Sequence, residues 1–174
     1  DTVVDNDGWH GMQDAQDTAS LSAGFHSITV VFNEGGGGCG LEVSWKPPGA
    51  GDFVPLPLDV LYSAAPVVPQ AGGLNFEWYD SGGDNPTLGT TLATVEDDIW
   101  NDWTPTGSHY PLGQPLWYSN DGAFVDTIPD FNSWDNFYMR WRGFINIPET
   151  DSYTFKTRSD DGPFHHRRRH RCRQ

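Results

Sequence analysis

The chain has 174 residues and a formal net charge of −14, a length that fits one ordinary domain or two small ones. Five of its 10 basic residues lie within the last eight positions, so the rest of the chain sets five bases against 24 acids. Such a body repels phosphate backbones and anionic lipid heads, which argues against nucleic-acid and membrane-surface binding. Twenty Gly, 13 Pro and eight Trp exclude a helical bundle and a disordered chain.

The first clear pattern is apolar alternation at Ile28, Val30 and Phe32, and again at Leu41, Val43 and Trp45. It predicts two half-buried antiparallel strands. Between them, Asn33 and Glu34 lead into the glycine run, Gly35–Gly38, which is expected to form a hairpin loop. Cys39 follows, and the only other cysteine is Cys172. One disulfide between them is compatible with the sequence, but two cysteines are too few for a disulfide scaffold.

Prolines dominate residues 46–73 and predict a connector, with a short edge strand within Phe53–Tyr62 and a linker at Ser63–Gly73. A new strand is predicted at Leu74–Asp80. Residues 81–135 are loop-rich, and their core candidates are Ile99, Trp100, Trp103, Trp117, Phe124, Ile128, Phe131 and Trp134.

Alternation returns at Phe137–Arg142 and at Tyr153–Arg158, with a turn at Ile147–Ser152 that predicts a second hairpin. No segment keeps apolar residues at helical spacing for three turns, so helices should be few and short. No run approaches the roughly 20 apolar residues of a spanning helix, and we expect no membrane insertion. Asp1–Asp7 is acidic and unlike a signal peptide, so an export signal would lie outside this sequence.

One stretch of the chain resembles the first half of a PA14 domain: Arg140–Phe155, closed by Ser159-Asp160-Asp161-Gly162. The start at Leu74–Asp80 is similar to the opening of such a domain. The second half of the domain has similar segments at Val3–Gly11, Leu21–Ile28 and Gly37–Trp45. The resemblance implies an all-β fold, an antiparallel β-sandwich with few short helices.

The order of these parts is inverted, because the part that resembles the later half comes first. The resemblance therefore divides the chain into a C-terminal half-module at 1–62, a linker at 63–73 and an N-terminal half-module at 74–162. Either the chain is a window from a tandem array of PA14 modules, or it is one circularly permuted module. The halves are expected to pack on each other in one chain, or to complete further copies head to tail and form a filament.

The basic tail, residues 163–174, departs from the body in charge and is not expected to belong to the fold. A sharper hypothesis makes it an arm that docks on an acidic neighbour or captures a transition metal. The metal version is weak, since His165, His166 and His170 have no carboxylate or cysteine at ligand spacing.

Candidate site residues also come from the resemblance. In the lectin members of the PA14 family, aspartates matching Asp160 and Asp161 are joined by a cis peptide and hold one Ca²⁺, which binds sugar hydroxyls. Calcium needs six to eight oxygens, and the family's second loop falls near Asn33, our candidate for a further ligand. The alternative is a purely structural Asx turn at the acidic pair. Trp9 lies in a polar, turn-rich segment and is a candidate stacking surface for a sugar, as are Trp103 and Tyr110.

No nucleophile elbow, HExxH or P-loop occurs, and we expect no enzyme. The resemblance implies a secreted or cell-surface module that binds carbohydrate, or mediates adhesion, with the help of calcium. The carbohydrate-binding residues are predicted to be Asp160, Asp161, Asn33 and Trp9, and the metal ligands Asp160, Asp161 and Asn33. The rival hypothesis is a repeat unit of an extracellular fibre or stalk that assembles through copies of itself and binds no ligand.

Overall fold

The computed structural model describes residues 2–6, 8–63, 72–80, 107–109 and 116–161. The strands within these residues are β1 (Gln13–Leu21), β2 (Gly24–Glu34), β3 (Gly40–Lys46), β4 (Val54–Pro55), β5 (Leu61–Tyr62), β6 (Asn75–Asp80), β7 (Gly107–His109), β8 (Trp117–Tyr118), β9 (Phe137–Ile147) and β10 (Asp151–Asp160). The helix α1 spans Asp121–Thr127, and a 3₁₀ turn spans Leu58–Val60.

The strands form two five-stranded sheets. The first has the order β1-β10-β3-β4, with β8 also paired to β3, and the second has the order β2-β9-β6-β7, with β5 also paired to β9. The pairings are antiparallel. Apolar side chains of both sheets share one core, so the prediction of an all-β sandwich is confirmed.

Strands from the two ends of the chain alternate in both sheets. In the first sheet β10 lies between β1 and β3, and in the second sheet β9 lies between β2 and β6. The β2–β9 register runs from Gly24 opposite Ile147 to Glu34 opposite Phe137. The complementary segments therefore meet within one chain, while the assignment of 1–62 and 74–162 as family half-modules stays a prediction.

Both predicted hairpins are wrong. The strands on either side of the glycine run, β2 and β3, lie in different sheets, and so do β9 and β10 on either side of the turn at 148–150. Apolar alternation fixes which side of a strand faces the core, but it does not fix the partner strand. Each of these loops carries the chain across the sandwich from one sheet to the other.

The core confirms some of the predicted positions and corrects others. Phe124, Ile128 and Phe131 are buried, whereas Trp134 and Trp117 are exposed. The helix α1 places Phe124 in the core through an N-cap at Asn120, whose side-chain oxygen accepts from the Ala123 amide. The Phe124 ring then stacks on Tyr118 and Phe32 at 4.4 and 5.3 Å between centroids.

The structure tests only some of the remaining predictions, which concern the strands at 53–80, the cysteines, the linker and the tail. The strand expected at Leu74–Asp80 is β6, and the edge strand expected within Phe53–Tyr62 is two shorter strands with a 3₁₀ turn between them. Cys39 is buried, and Cys172 lies outside the described residues. Also outside them are most of the linker, the whole basic tail, and the candidates Ile99, Trp100, Trp103 and Tyr110.

Candidate functional site

The candidate site lies at one end of the sandwich, where β2 ends in Glu34 and β10 ends in Asp160. Glu34 leads directly into the glycine run, which connects the two sheets. Asp161 follows Asp160 and turns back toward the segment around His10. Two sheet ends and an N-terminal loop therefore converge on one short stretch of backbone without side chains.

Three successive amides of the glycine run each donate to a different carboxylate. Gly35 N donates to Asp161 Oδ2 at 3.2 Å, and Gly36 N donates to Glu34 Oε1 at 2.6 Å. Gly37 N donates to Asp135 Oδ1 at 3.0 Å. Gly36 and Gly37 have positive φ values of 152° and 115°, which a side chain would disfavour. Glycine thus lets this loop direct consecutive N–H groups toward three acids.

Asp161 also holds the N-terminal segment in place. Its amide donates to His10 O at 2.8 Å, and His10 N donates back to Asp161 Oδ1 at 3.0 Å. Beside this pair, Asn6 Nδ2 donates to Ser159 Oγ at 2.8 Å. The segment that contains Asn6 and His10 therefore lies next to the acidic pair.

The backbone at the acidic pair differs from what the resemblance implies. No cis peptide bond occurs among the described residues, so Asp160 and Asp161 are joined in trans. Asp161 instead has a positive φ of 56°, a left-handed conformation that aspartate tolerates better than most residues. The expected cis bond is wrong for this structure, and the chain turns through the conformation of Asp161.

Glu34 is the least expected member of the site. It is 1% exposed, and its Oε2 has no hydrogen-bond partner among the described residues. Burial raises the pKa of its carboxyl from 4.5 to about 8, against the lowering effect of the Gly36 amide. The negative charges of Asp161, Asp160 and Asp135 raise this pKa further.

Asn33, the candidate from the sequence, is the neighbour of Glu34 on β2. It is buried, lies opposite Tyr138 of β9, and its Oδ1 has no partner among the described residues. Consecutive side chains of a strand point to opposite faces of its sheet. Asn33 is thus directed away from the core side on which Glu34 lies. The residue of this pair that interacts electrostatically with Asp160 and Asp161 is Glu34.

Trp9 is the most exposed large hydrophobic residue that the structure describes, at 61%. Its six-membered ring lies on the backbone of Gly35, where a Cβ atom would come within 2.0 Å of two ring carbons. Only glycine fits beneath this ring. The predicted candidates Trp9 and Asp161 therefore both contact Gly35. Asp160, which directly precedes Asp161, pairs with Gly40 of β3.

Sequence reasoning missed Glu34, Asp135 and Trp134. Glu34 directly precedes the glycine run, and that position was a usable signal. Asp135 is separated from Gly37 by 98 residues, and no local pattern indicates their contact. Trp134 was placed in the core, yet it is 55% exposed and precedes the residue that binds Gly37.

The site offers oxygen donors of the type that calcium prefers. Two of them, Glu34 Oε2 and Asn33 Oδ1, are buried without a hydrogen-bond partner among the described residues. In the part of the chain that the structure describes, however, no three His, Cys, Asp or Glu side chains converge as a ready metal cluster. The donors fit calcium in their chemistry, but these side chains are not gathered around one point.

The family comparison bears on the strands that carry this site. Residues 118–163 match the family model of the PA14 domain. The PA14 match runs from β8 through β10 to the residues just beyond Asp161, about a quarter of the chain. The resemblance noted from the sequence is confirmed as a partial match.

PA14 domains are generally carbohydrate-binding or adhesion-type modules, and they occur in extracellular and surface proteins. Comparisons with curated proteins and with solved structures return no significant match. Within the described residues of this PA14-like chain, no helix has the length and apolar character needed to cross a membrane.

Proposed function

We propose that this chain is an extracellular carbohydrate-binding or adhesion module, assisted by calcium, whose site lies at the glycine run. One observation carries the proposal: an exposed tryptophan, Trp9, lies directly on the loop whose amides hold Asp161, Glu34 and Asp135. Two classes of surface, one apolar and flat and one acidic, therefore adjoin each other at Gly35.

A sugar ring matches this combination because it has polar hydroxyls at its edge and apolar C–H groups on its faces. The Trp9 ring supplies a flat apolar surface for stacking. Carboxylate oxygens accept hydrogen bonds from hydroxyls, and charged acceptors make these bonds stronger than neutral ones do. A phosphate or an anionic lipid is repelled by the same carboxylates.

Calcium enters the proposal through the family resemblance and the donor chemistry. Asp160, Asp161 and Asn33 are the proposed ligands, with Glu34 added by the structure. When bound, the ion would offset the repulsion among these carboxylates and attract sugar hydroxyl oxygens. Glu34 supports this part of the proposal, because its buried Oε2 has no hydrogen-bond partner among the described residues. Asn33 lies on the opposite face of β2 and would need to reorient to join it.

A binding experiment tests the proposal. We expect the wild-type chain to bind glycans on an array in calcium and to lose most of that binding in chelator. Asp160→Asn should cause the same loss in calcium. Asp151→Asn is the matched control, because Asp151 begins β10 at the opposite end from Asp160. Equal binding in calcium and chelator would contradict the role of the ion.

The second candidate function is a structural repeat unit. It is favoured by β1 and β2, which are the outermost strands of their sheets within the described residues. An exposed edge strand can add a strand from another chain. If the wild-type chain binds no glycan and its mass in solution rises with concentration, independently of chelator, this second candidate replaces the first.

A further inference from the structure

Two tryptophans at this end of the sandwich are the most exposed of those that the structure describes, ahead of Trp117 at 42%. Trp9 is 61% exposed and Trp134 is 55% exposed, whereas Trp45, Trp78 and Trp141 are all buried. Leaving a large apolar side chain in water forfeits roughly 25 cal/mol for each Å² that burial would remove from water. Exposed aromatic side chains that lie close together commonly mark a binding surface.

Trp9 contacts the glycine run directly, and Trp134 is next in sequence to a residue that binds it. The Trp9 ring lies on Gly35. Trp134 directly precedes Asp135, whose carboxylate accepts from Gly37 N at 3.0 Å. The Cα atoms of Gly35 and Gly37 are at most about 7 Å apart, because two residues cannot extend further. The Trp9 ring and the backbone next to Trp134 therefore contact the same short loop, each beside a different carboxylate.

We propose that Trp134 is a second stacking surface of this site, separate from Trp9, so that the site takes an extended oligosaccharide in preference to a single monosaccharide. This inference rests on the proposed carbohydrate-binding function. One ring of the ligand contacts Trp9 and the acidic loop, and a neighbouring ring stacks on Trp134. Trp134 is thus a residue that determines the length of glycan recognised.

The chemistry favours a glycan over a peptide partner. Each tryptophan stands beside a carboxylate that is already bound to a backbone amide, Asp161 at Gly35 and Asp135 at Gly37. A tryptophan and a hydrogen-bond acceptor are thus found at each end of Gly35–Gly37, and each ring of an oligosaccharide offers an apolar face and hydroxyl donors. An apolar peptide would leave these acids without partners, which is costly once water is excluded.

The test compares glycans of different length. The probes are the methyl glycosides of glucose, mannose, galactose and N-acetylglucosamine, and linear oligosaccharides that end in the same sugars, all measured by calorimetry in calcium. Trp134→Ala should weaken oligosaccharide binding about tenfold, equivalent to one aromatic contact of about 1.4 kcal/mol, and leave the methyl glycosides within twofold. Trp134→Phe keeps an aromatic ring, so its affinity for the oligosaccharides should lie between those of the wild type and Trp134→Ala.

Trp117→Ala is the matched control, since Trp117 is 42% exposed but pairs with Glu42 of β3 and not with the glycine run. Its affinities should equal those of the wild type, and unfolding midpoints of every variant report whether the fold is intact. If Trp134→Ala loses equal affinity for long and short probes, or loses affinity for neither, the inference is overturned and the proposed function is unaffected. A wild-type chain that binds none of the probes would overturn both.

Discussion

Glu34 shows how a single residue can oppose the stability of the fold around it. A buried carboxylate needs compensation from hydrogen bonds or a cation, and Glu34 has one amide donor, from Gly36, and three acidic neighbours. Its carboxyl is therefore held in the protonated form over a wide pH range. A bound cation would reverse this preference by favouring the charged form.

The first residue-scale prediction concerns pH. The pKa of Glu34 is about 8 in the fold and 4.5 when exposed, so its contribution to stability is complete below pH 4.5 and is lost as the pH rises through 8. In calcium-free buffer, the melting temperature of the wild type should fall between pH 5 and pH 8 more steeply than that of Glu34→Gln. At pH 8 the Gln variant should be the more stable protein.

Glu149→Gln is the control for this measurement, because Glu149 is exposed. Its pH dependence should match that of the wild type. Parallel curves for the wild type and Glu34→Gln would contradict the buried, protonated carboxyl.

Individual site residues were only partly predictable from the sequence. Trp9 was chosen for its polar surroundings, and it is exposed as expected. Trp134 was assigned to the core from its residue type, since nothing nearby in the sequence indicates otherwise. Its neighbour Asp135 binds a glycine amide almost a hundred positions earlier in the chain. Contacts of that separation are invisible to a reading of local patterns.

At the scale of the elements, the sequence predicted strands well and partners poorly. The alternation at Ile28–Phe32 and Leu41–Trp45 located β2 and β3, because half-buried strands must present apolar residues every second position. Pairing depends on how the two sheets close over the core. The chain crosses the sandwich at the glycine run and again near Glu149, so strands adjacent in sequence separate into different sheets.

An element-scale prediction concerns the close approach of β5 to β9. A Cβ atom at Gly143 of β9 would lie 2.2 Å from the carbonyl oxygen of Tyr62, which is backbone and cannot turn aside. Gly143→Ala should therefore destabilise the protein by about 1–3 kcal/mol, the usual cost of overpacking a close contact. Urea unfolding measures the difference.

Gly51→Ala is the matched substitution, because a Cβ atom there meets nothing within 4 Å. Its unfolding free energy should stay close to that of the wild type. If both variants lose the same amount, the cause is the residue type and not the contact with Tyr62.

The whole molecule is held together by pairing between distant parts of the chain. Among the described residues, the segment before residue 63 keeps only the β3–β4 pairing when it is considered alone, whereas the later segment keeps β9 with β6 and β6 with β7. β1 and β2 depend entirely on β10 and β9 for their ladders. The two segments are thus unequal in what each can form by itself.

The whole-molecule prediction uses this inequality. When the chain is divided between residues 63 and 72 into two separately produced pieces, the first piece should be unfolded and the second should keep partial β-structure. Mixing them should restore the circular dichroism of the intact chain. A first piece that folds alone would show that the interleaved ladders are not required for its stability.

The glycine run contributes backbone and no side chains, while the side chains that contact it come from positions 9, 34, 135 and 161. Positions 34, 135 and 161 supply the carboxylates that bind the glycine amides, whereas Trp9 and Trp134 make none of these hydrogen bonds. Such an arrangement suits engineering: a combinatorial library at Trp9 and Trp134 would alter the apolar rim and leave the amide–carboxylate frame intact. New sugar preferences should be obtainable from that library with little change in melting temperature.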